Sequence, residues 1–318
     1  MPRTKDTLRW AGLASCLVST AVAADEAQDW LAKMNEASRE QSFRGAFVYE
    51  RTGSFTTHNI WRSVNDDVVT ERLVQSDGAM QEWLRRSGRL ICSSGSDVGA
   101  SSHQASQPVD RIQGLDDVYS SQLLGTTRVA SRPVTVISLR PRDAHRYGYE
   151  FFLDSETGLL LKSLMIGDQG SLLERFQFAA IELGDVPPEA LEPSAACQHI
   201  PASNAASVTA SDNWLPAWVP QGFTLQSESS DQVAGSSSPV LSRTYTDGLT
   251  RFSLFVEPLD ASQQAENVRA QLGPTVAVSR KLSTTDGTIL ATLVGEIPVA
   301  TAEQIVASLA PATPGTAQ

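Results

Sequence analysis

The sequence lacks every short motif that would by itself indicate an enzyme. It contains no GxSxG nucleophile elbow, no HExxH zinc motif, no CxxC pair, no phosphate-binding glycine loop and no dinucleotide fingerprint. It has four histidines and three cysteines, and the closely spaced pair Cys197 and His199 lacks the further ligands that a structural zinc site requires. We therefore predict a binding protein with no catalytic residues, no metal and no cofactor.

Basic residues are also scarce. The 25 Lys and Arg residues stand against 36 Asp and Glu residues, which gives a formal net charge of −11. Non-specific binding of nucleic acid needs a basic face, so this composition argues against a nucleic-acid partner. Long apolar runs are missing as well, because no later stretch approaches the roughly 18 apolar residues that a membrane-spanning helix needs.

The N-terminal residues are typical of an export signal. Arg3, Lys5 and Arg9 precede a short apolar run, and the small residues AVA at 21–23 form a cleavage site. A lipoprotein-type site within the letters LASC would leave an apolar run of only about six residues, which is below the usual length. We therefore predict a cleaved signal peptide, residues 1–23, and an exported protein.

Two cysteines remain after such a cleavage, Cys92 and Cys197. In an oxidising compartment a disulfide between them is one alternative, and two separate buried thiols are the other. The residues alone do not decide between the two. A bridge would close a loop of about 100 residues, which in the chain-entropy model stabilises the fold by about 4–5 kcal/mol.

Hydrophobic periodicity predicts a mainly β protein with two parts. A helix over 25–41 is followed by many short alternating segments, separated by turn sequences such as TGS, SDG and SETG. We predict a large, curved antiparallel half-barrel of about ten strands with one or two covering helices, one of them over 115–124. The second part is a smaller α+β domain whose final helix begins at a capping box formed by Thr301 and Gln304.

A change of composition marks the boundary between the two parts. The stretch 193–212 is rich in Ala, Ser, Pro and Asn and has few large apolar residues, as linkers do. The predicted organisation is a signal peptide over 1–23, a first domain over 24–192, a linker over 193–212, a second domain over 213–310 and a disordered tail over 311–318.

Arginine is concentrated in one part of this acidic chain. Guanidinium groups recognise carboxylates and phosphates through paired hydrogen bonds, so the cluster predicts a docking strip for an anionic lipid head group or partner. The alternative is a solvated sheet edge whose arginines pair with nearby acidic residues. The five arginines are Arg128, Arg132, Arg140, Arg142 and Arg146.

Two of these arginines lie in the stretch PRDAHRYGYEFFLD, residues 141–154. Its composition suits an active site, but His145 has no metal-ligand or nucleophile partner at a useful spacing. We predict instead a connection into a strand that places Tyr147, Tyr149 and Phe151 on one face.

Large apolar side chains exceed what one face of a thin sheet needs. Coverage by helices and by the second domain is one explanation, and a cavity for an acyl chain is the other. The predicted cavity lining consists of Phe47, Tyr49, Trp61, Trp83, Phe151, Leu160, Phe176 and Phe178.

Several long segments resemble one known family. They are FRGAFVYERTGSFTTHNIWR, PRDAHRYGYEFFLDSETGLLLKSL, LLERFQF, WLPAWVPQGF and VGEIPVATAEQIVASL. Together, and in this order, they resemble the RseB/MucB family of periplasmic regulators in the envelope-stress sigma-factor pathway. The resemblance spans essentially the whole chain after the predicted signal peptide.

This resemblance implies a fold, a location and partners. The first domain would be a half-barrel like those of LolA and LolB, and the protein would lie in the periplasm. It would bind the periplasmic domain of an RseA/MucA-like anti-sigma factor, protect it from site-1 proteolysis and release it on binding lipid or lipopolysaccharide. The family brings no catalytic residues, and the oligomeric state stays open, with a homodimer among the options. The alternative function is a periplasmic lipid or lipoprotein carrier.

Overall fold

The computed structural model describes residues 19–51, 53–94, 114–200, 214–231, 239–259, 266–284 and 287–311. Three of the sequence-based predictions fall partly outside these residues. They concern the signal peptide over 1–18, the linker over 201–212 and the tail over 312–318.

An open antiparallel sheet of eleven strands forms the first part of the described structure. The strands are β1 (Phe43–Arg51), β2 (Ser54–Asn65), β3 (Val68–Gln75), β4 (Glu82–Arg86), β5 (Arg89–Ser93), β6 (Tyr119–Val129), β7 (Arg132–Pro141), β8 (Gly148–Asp154), β9 (Leu160–Ile166), β10 (Leu172–Leu183) and β11 (Gln198–His199). Their order is β11-β5-β4-β3-β2-β1-β10-β9-β8-β7-β6, so β11 and β6 form the two edges. The large, open antiparallel sheet confirms the predicted fold class.

Alternation decides which face of each strand is buried. In β8, Tyr149 and Phe151 are buried and their neighbours are partly exposed, as the sequence predicts. Glycine is required where β1 meets β10, because a Cβ at Gly45 would lie 2.5 Å from the carbonyl oxygen of Ala180 and 3.0 Å from the ring of Phe178. The alternation therefore directs one face of the sheet into the core.

The helix α1 (Ser19–Glu40) covers that face. Ala27, Leu31, Met34 and Ala37 are all buried, at the spacing of one helical stripe. This confirms the helix that the periodicity predicts. No helix in the described ranges is both long and apolar enough to cross a bilayer.

The predicted helix over 115–124 is wrong beyond its first turn. The helix α2 covers only Leu115–Val118, and the chain continues directly into β6. The reason is strand pairing, because β6 pairs with β7 from Tyr119 opposite Pro141 to the end of the strand. Ser120 and Ser121 have lower helix propensity than the leucines around them, so the pairing outweighs the local preference.

The second part contains a six-stranded sheet, a two-stranded sheet and one helix. The elements are β12 (Trp214–Pro216), β13 (Thr224–Asp231), β14 (Val240–Thr246), β15 (Arg251–Leu259), β16 (Val268–Leu272), β17 (Thr275–Thr284), β18 (Gly287–Gly295), α3 (Val299–Ala307) and β19 (Leu309–Pro311). The larger sheet has the order β13-β14-β15-β18-β17-β16, and β12 pairs with β19. Ala302, Ile305 and Val306 of α3 are fully buried in this domain's core.

The start of α3 differs from the predicted capping box. The helix begins at Val299, after Pro298, and forms no side-chain capping hydrogen bond. Proline holds extended backbone at the cap position here, and the helix therefore starts three residues earlier than the predicted capping box implies. The Thr301 hydroxyl contacts His145 of the first domain instead, at 3.1 Å from its Nδ1.

A disulfide and a two-residue strand attach residues of the predicted linker to the first sheet. Cys92 and Cys197 are joined, with their Cα atoms 5.4 Å apart. The strand β11 follows at once and pairs with the end of β5. The Ile200 N–H donates to the carbonyl of Ile91 at 2.9 Å. The described chain therefore stays on the sheet as far as residue 200.

Candidate functional site

The five arginines of the predicted docking strip lie in two groups at opposite ends of β7. Arg128 and Arg132 flank the turn between β6 and β7, whereas Arg140, Arg142 and Arg146 lie at or beyond the far end. The eight residue-to-residue steps of extended strand from Arg132 to Arg140 span about 26 Å. The structure therefore does not bring the five arginines together into one strip.

At the first end of β7, Arg128 and Arg132 bind groups of the adjacent turns. Arg132 forms ion pairs with Asp154, which is fully buried, and with Glu156 at 3.1 Å. Burial raises the pKa of Asp154, but hydrogen bonds from Arg132 and from the next turn outweigh it and hold the pKa below its ordinary value. Arg128 donates to the carbonyl of Ser131. Arg132 therefore pairs with nearby acidic residues, which was the alternative to a docking strip.

At the second end Arg140 and Arg142 stay close to solvent. Arg142 donates through its Nε to the carbonyl oxygens of Asp116 at 2.8 Å and Tyr119 at 3.1 Å, and so closes the end of α2. Arg140 is exposed on β7. Anion docking stays a prediction for these two residues.

Arg146 is not part of an exposed strip, because it lies buried between the two domains. Its side chain is 0% exposed and forms ion pairs with Asp143 at 2.9 Å and with Asp247 of the second domain at 2.6 Å. It also donates to the carbonyl of Gln221 at 2.6 Å, and its guanidinium lies 5.1 Å from the centre of the Phe223 ring. The prediction that Arg146 docks a ligand is wrong for this conformation, since its donors are used within the chain.

Three tyrosines beside Arg146 also reach the second domain. Tyr119 donates to the Asp247 carboxylate at 3.4 Å, Tyr149 meets the Thr250 hydroxyl at 2.7 Å, and Tyr147 donates to the carbonyl of Ile297 at 3.3 Å. Burial raises the pKa of Tyr147 to about 12, so its hydroxyl keeps the proton that it donates. The apolar rings pack in the first domain's core while the hydroxyls bind the second domain.

His145 also contacts the second domain. Its ring lies 5.1 Å from the ring of Trp218 in an edge-to-face arrangement, and its Nδ1 contacts Thr301. The stretch over 141–154 is therefore a docking element between the domains. Its chemistry is ion pairing and hydrogen bonding within the chain, and the histidine contacts a hydroxyl and an indole.

A second polar cluster joins the domains through Arg51 at the end of β1. Its guanidinium lies 2.9 Å from Glu174 on β10 and 2.9 Å from Glu296 of the second domain. The Tyr49 hydroxyl donates to Glu174 at 2.5 Å. Burial and the charge of Glu174 raise the pKa of Glu296 to about 7, against the attraction of Arg51 and Arg251. Two carboxylates thus share one guanidinium at the domain boundary.

We expect Glu296→Gln to change how stability depends on pH. The pKa of Glu296 is about 7 in the fold, against an ordinary value of 4.5, so between these values the folded form holds a proton that the unfolded form has lost. The stabilisation of the folded form by this extra proton is fully present below pH 4.5 and is lost as the pH rises to 7. The Tm of the variant relative to the wild type should therefore rise from about pH 5 to about pH 8 in thermal unfolding followed by circular dichroism.

The difference between the two proteins is the informative quantity, because His58 has the opposite effect. Burial lowers the pKa of His58 to about 4, which makes stability increase with pH between that value and the ordinary 6.5. The matched control is Glu189→Gln at an exposed glutamate. A Tm difference that stays constant with pH would contradict the assignment. The charged and titratable groups that act on Glu296 are Glu174, Arg51 and Arg251, and Tyr49, Tyr147 and Tyr149 respond to its charge.

The residues predicted to line a lipid cavity form a packed aromatic and aliphatic core. The ring centroids of Phe47 and Phe176 are 4.8 Å apart, and those of Phe176 and Phe178 are 5.2 Å apart. Tyr49 and Trp83 belong to the same cluster. Phe151 and Leu160 pack in the neighbouring cluster under α1. The structure brings these seven residues to one face of the sheet.

Trp61 is the exception, and its assignment to the cavity lining is wrong. Ile60 is buried in the core, and the alternation of β2 turns Trp61 to the opposite face. There the guanidinium of Arg72 lies 5.1 Å from the centre of its ring. His58 was missed by the sequence reasoning, although its two-residue spacing from Ile60 is the available signal. It stacks on Phe47 at 5.1 Å.

The interdomain residues on the second-domain side were also missed. Asp247 is visible in the sequence only as half of an Asp–Gly turn, and Glu296 has no local signal. Among the described residues, no group of three or more His, Cys, Asp or Glu side chains is placed to hold a metal ion. The charged groups at the boundary instead form ion pairs between the domains, which suits them to holding the two domains together.

The fold and this boundary define a two-domain, mainly β protein whose domains are docked through buried ion pairs. Two family models cover nearly all of it. The model of the MucB/RseB N-terminal domain matches residues 26–204, and that of the MucB/RseB C-terminal domain matches residues 208–310. The chain belongs to the MucB/RseB family, as the resemblance of its segments implies.

Individual relatives agree with this assignment. The sigma factor AlgU regulatory protein MucB of Pseudomonas aeruginosa is 44% identical over 304 residues, which cover 94% of this chain and 95% of the relative. The sigma-E factor regulatory protein RseB of Escherichia coli K12 is 26% identical over 86% of this chain and 87% of its own length. The solved complex of Pseudomonas aeruginosa MucA and MucB contains a chain with a TM-score of 0.79 and 44% identity, which covers 91% of this chain and 99% of that one.

Proposed function

We propose that this protein is a periplasmic negative regulator of a sigma-E-type factor. It binds the periplasmic domain of a transmembrane anti-sigma factor, protects that domain from site-1 proteolysis and releases it when lipid or lipopolysaccharide binds. The observation that carries the proposal is the 44% identity along 94% of the chain to a protein named as a sigma factor regulator. A second solved structure shows MucB in complex with MucA(peri), at a TM-score of 0.76 to this chain.

The boundary between the domains supports a regulatory role. An anti-sigma segment that contacts both domains requires one fixed arrangement of the two. The ion pairs from Arg146 to Asp247 and from Arg51 to Glu296 provide such an arrangement. A ligand that separates the domains would then weaken the grip on the segment without touching it.

The apolar core supports a lipid as that ligand. The two apolar clusters of the first domain lie under α1, so an acyl chain enters by displacing this helix or the rings beneath it. Arg140 and Arg142, near the domain boundary, are placed to meet a phosphate. The lipid must bind the partner-free form more tightly than the partner-bound form, because a ligand with equal affinity for both shifts nothing.

A protection assay tests the proposal. The purified periplasmic domain of the cognate anti-sigma factor is cut by the site-1 protease, with and without this protein. With this protein at about ten times its dissociation constant, cleavage should slow about tenfold, since about one-tenth of the substrate is then free. Adding a soluble lipid A analogue should restore the rate. Equal rates with and without this protein would contradict the proposal.

Paired variants separate the role of lipid from that of the partner. Arg140→Ala with Arg142→Ala should reduce the response to the lipid A analogue and leave the protection intact. Arg86→Ala with Arg89→Ala, at two exposed arginines of another hairpin, is the matched control. An unchanged lipid response in the first variant would assign the phosphate contact elsewhere.

A periplasmic lipid or lipoprotein carrier is the second candidate, which the large apolar face of the first domain favours. A carrier would bind the lipid A analogue but would not retain the anti-sigma domain in a pull-down. The docked second domain argues against it, because carrying a lipid in the first domain does not require those ion pairs.

A further inference from the structure

We infer that the outer edge of the second-domain sheet, strand β16 with the groove beside α3, holds an extended acidic segment of the anti-sigma periplasmic domain by strand addition. The identity of the partner rests on the proposed function. The edge, the groove and the chemistry of the segment go beyond it.

The edge itself is suited to pairing. In the described structure, β16 has β17 as its one hydrogen-bonded neighbour, and all five of its side chains are exposed. Val268 is 48% exposed and Leu272 is 63% exposed. Natural sheets usually protect such edges with charges, prolines or bulges, and an exposed apolar edge is a template for another strand.

The register shows which backbone groups are available. Leu272 pairs with Thr275 across a two-residue turn, so these two residues are hydrogen-bonded to each other. Gln271, the next residue, pairs with Val276, and its N–H and C=O therefore point away from β17. The same alternation turns the backbone of Arg269 outwards. An added strand would bond to these groups.

A groove next to the edge has room for side chains of the added strand. It has a volume of about 500 Å³ and lies between β16, β17 and α3. Val268 and Ala307 are exposed on its lining, and the buried Val278 lies beneath them, which makes part of the lining apolar. Pockets that hold small ligands commonly measure about 300–1,000 Å³, so the groove is large enough for one or two apolar side chains.

The charge of the hairpin selects an acidic segment. Between residues 267 and 284 the chain carries Arg269, Arg280 and Lys281 and no acidic residue, in a protein with a net charge of −11. Arg269 pairs with Glu303 at 3.2 Å, but both side chains are about half exposed, so this pair contributes little and is easily exchanged. A carboxylate of the partner would replace Glu303 or bind beside it.

The other sheet edges are less suitable. The edge strand β13 carries mostly Gln, Ser and Glu side chains beside its one exposed leucine. The edge strand β11 has only two residues and lies within the predicted linker. The strand β6 packs against α1. Of the described edges, β16 is the one that combines exposed apolar side chains, basic charge and an adjoining groove.

Two variants test this surface. Gln271→Pro removes one outward N–H and leaves the bonds to β17 in place, because proline is tolerated on the free side of an edge strand. Arg280→Glu with Lys281→Glu reverses the charge, and Arg86→Glu with Arg89→Glu is the matched control on an exposed hairpin of the first domain. Isothermal titration with the purified anti-sigma periplasmic domain should show about tenfold weaker binding for each test variant and an unchanged affinity for the control.

Hydrogen exchange gives an independent measurement. Adding the anti-sigma domain to the wild-type protein should slow exchange at the outward amides of residues 269 and 271. Wild-type affinity in both test variants, or no protection at this edge, would overturn the inference while the proposed function stands. Protection that appears without partner and grows with protein concentration would assign the edge to a second copy of this chain and also overturn it. Failure of the wild-type protein to bind at all would instead contradict the proposed function.

Discussion

Replacing Arg146 by methionine is expected to lower the free energy of unfolding by about 3–5 kcal/mol, because it leaves a buried carboxylate without its cation. Asp247 is 0% exposed at its side chain, and Arg146 is its ion-pair partner at 2.6 Å. Methionine preserves much of the length and the apolar contact with Phe223, so the loss reports mainly the charge. Chemical denaturation followed by circular dichroism measures it.

A control and a compensating change make this prediction sharp. Arg140→Met, at an exposed arginine six residues earlier, should change stability by less than about 0.5 kcal/mol. Adding Asp247→Asn to Arg146→Met should recover part of the loss, since the buried charge is gone. The asparagine oxygen still accepts the N–H groups of Leu249 and Thr250 that Asp247 holds in its turn. If Arg146→Met costs no more than Arg140→Met, the buried ion pair does not hold the domains together.

The ion pair of Arg146 and Asp247 also shows why the sequence alone does not predict the contacts between the two domains. Arg146 and Asp247 are 101 residues apart, and Arg51 and Glu296 are 245 apart. No local pattern records which distant charges meet, so a run of arginines indicates an anion site and a buried ion pair equally well. Arg51 and Glu174 are cross-strand partners, but only because β10 returns to lie beside β1. That pairing follows from the sheet topology and not from sequence order.

The fold could be predicted from the sequence to a greater extent than the site. In β8 every second residue from Tyr149 to Leu153 is buried, and the alternation that predicts this is a local property of the pleated strand. The helix α1 was accessible for the same reason, through the spacing of Ala27, Leu31 and Met34. The prediction failed at 119–124, where strand pairing with β7 decides the conformation, and at Trp61, where the face of the strand decided the outcome. Periodicity predicts elements, whereas partners between elements decide the details.

The two ion-pair clusters lie where the proposed ligand switch would have to act. Arg146 and Arg51 each belong to the first domain, and each binds a carboxylate of the second domain. The tyrosines between them have their rings in the core that the proposed lipid would enter and their hydroxyls on the second domain. Movement of Tyr149 with its neighbours would therefore carry a change in the apolar core directly to the boundary. The connection from the apolar core to the domain boundary is short because one strand, β8, contributes residues to both.

Removal of the disulfide is the other change with a large expected effect. Cys92→Ser with Cys197→Ser should lower the free energy of unfolding by about 4–5 kcal/mol, because the bridge closes a long loop in the unfolded chain. The sequence separation of the two cysteines is 105 residues. Denaturation of the double variant beside the wild-type protein measures the loss. A difference below about 1 kcal/mol would show that the unfolded chain gains little freedom when the bridge is absent.

The local consequence distinguishes the bridge from the other contacts of the same segment. The Ser194 N–H still donates to Glu82 at 3.1 Å, the Ile200 N–H still donates to Ile91 at 2.9 Å, and β11 still pairs with β5, so the segment keeps several attachments to the sheet. Exchange of the backbone amide of Ile200 should nevertheless become faster in the double variant, since the remaining hydrogen bonds can open locally once the covalent link is gone. Ser194→Ala is the matched control, because it removes a side-chain contact to Glu82 and leaves the bridge. Ser194→Ala would accelerate exchange at Ile200 as much as the double variant does only if hydrogen bonds, and not the disulfide, hold this segment against β5. That result would contradict the role assigned to the disulfide.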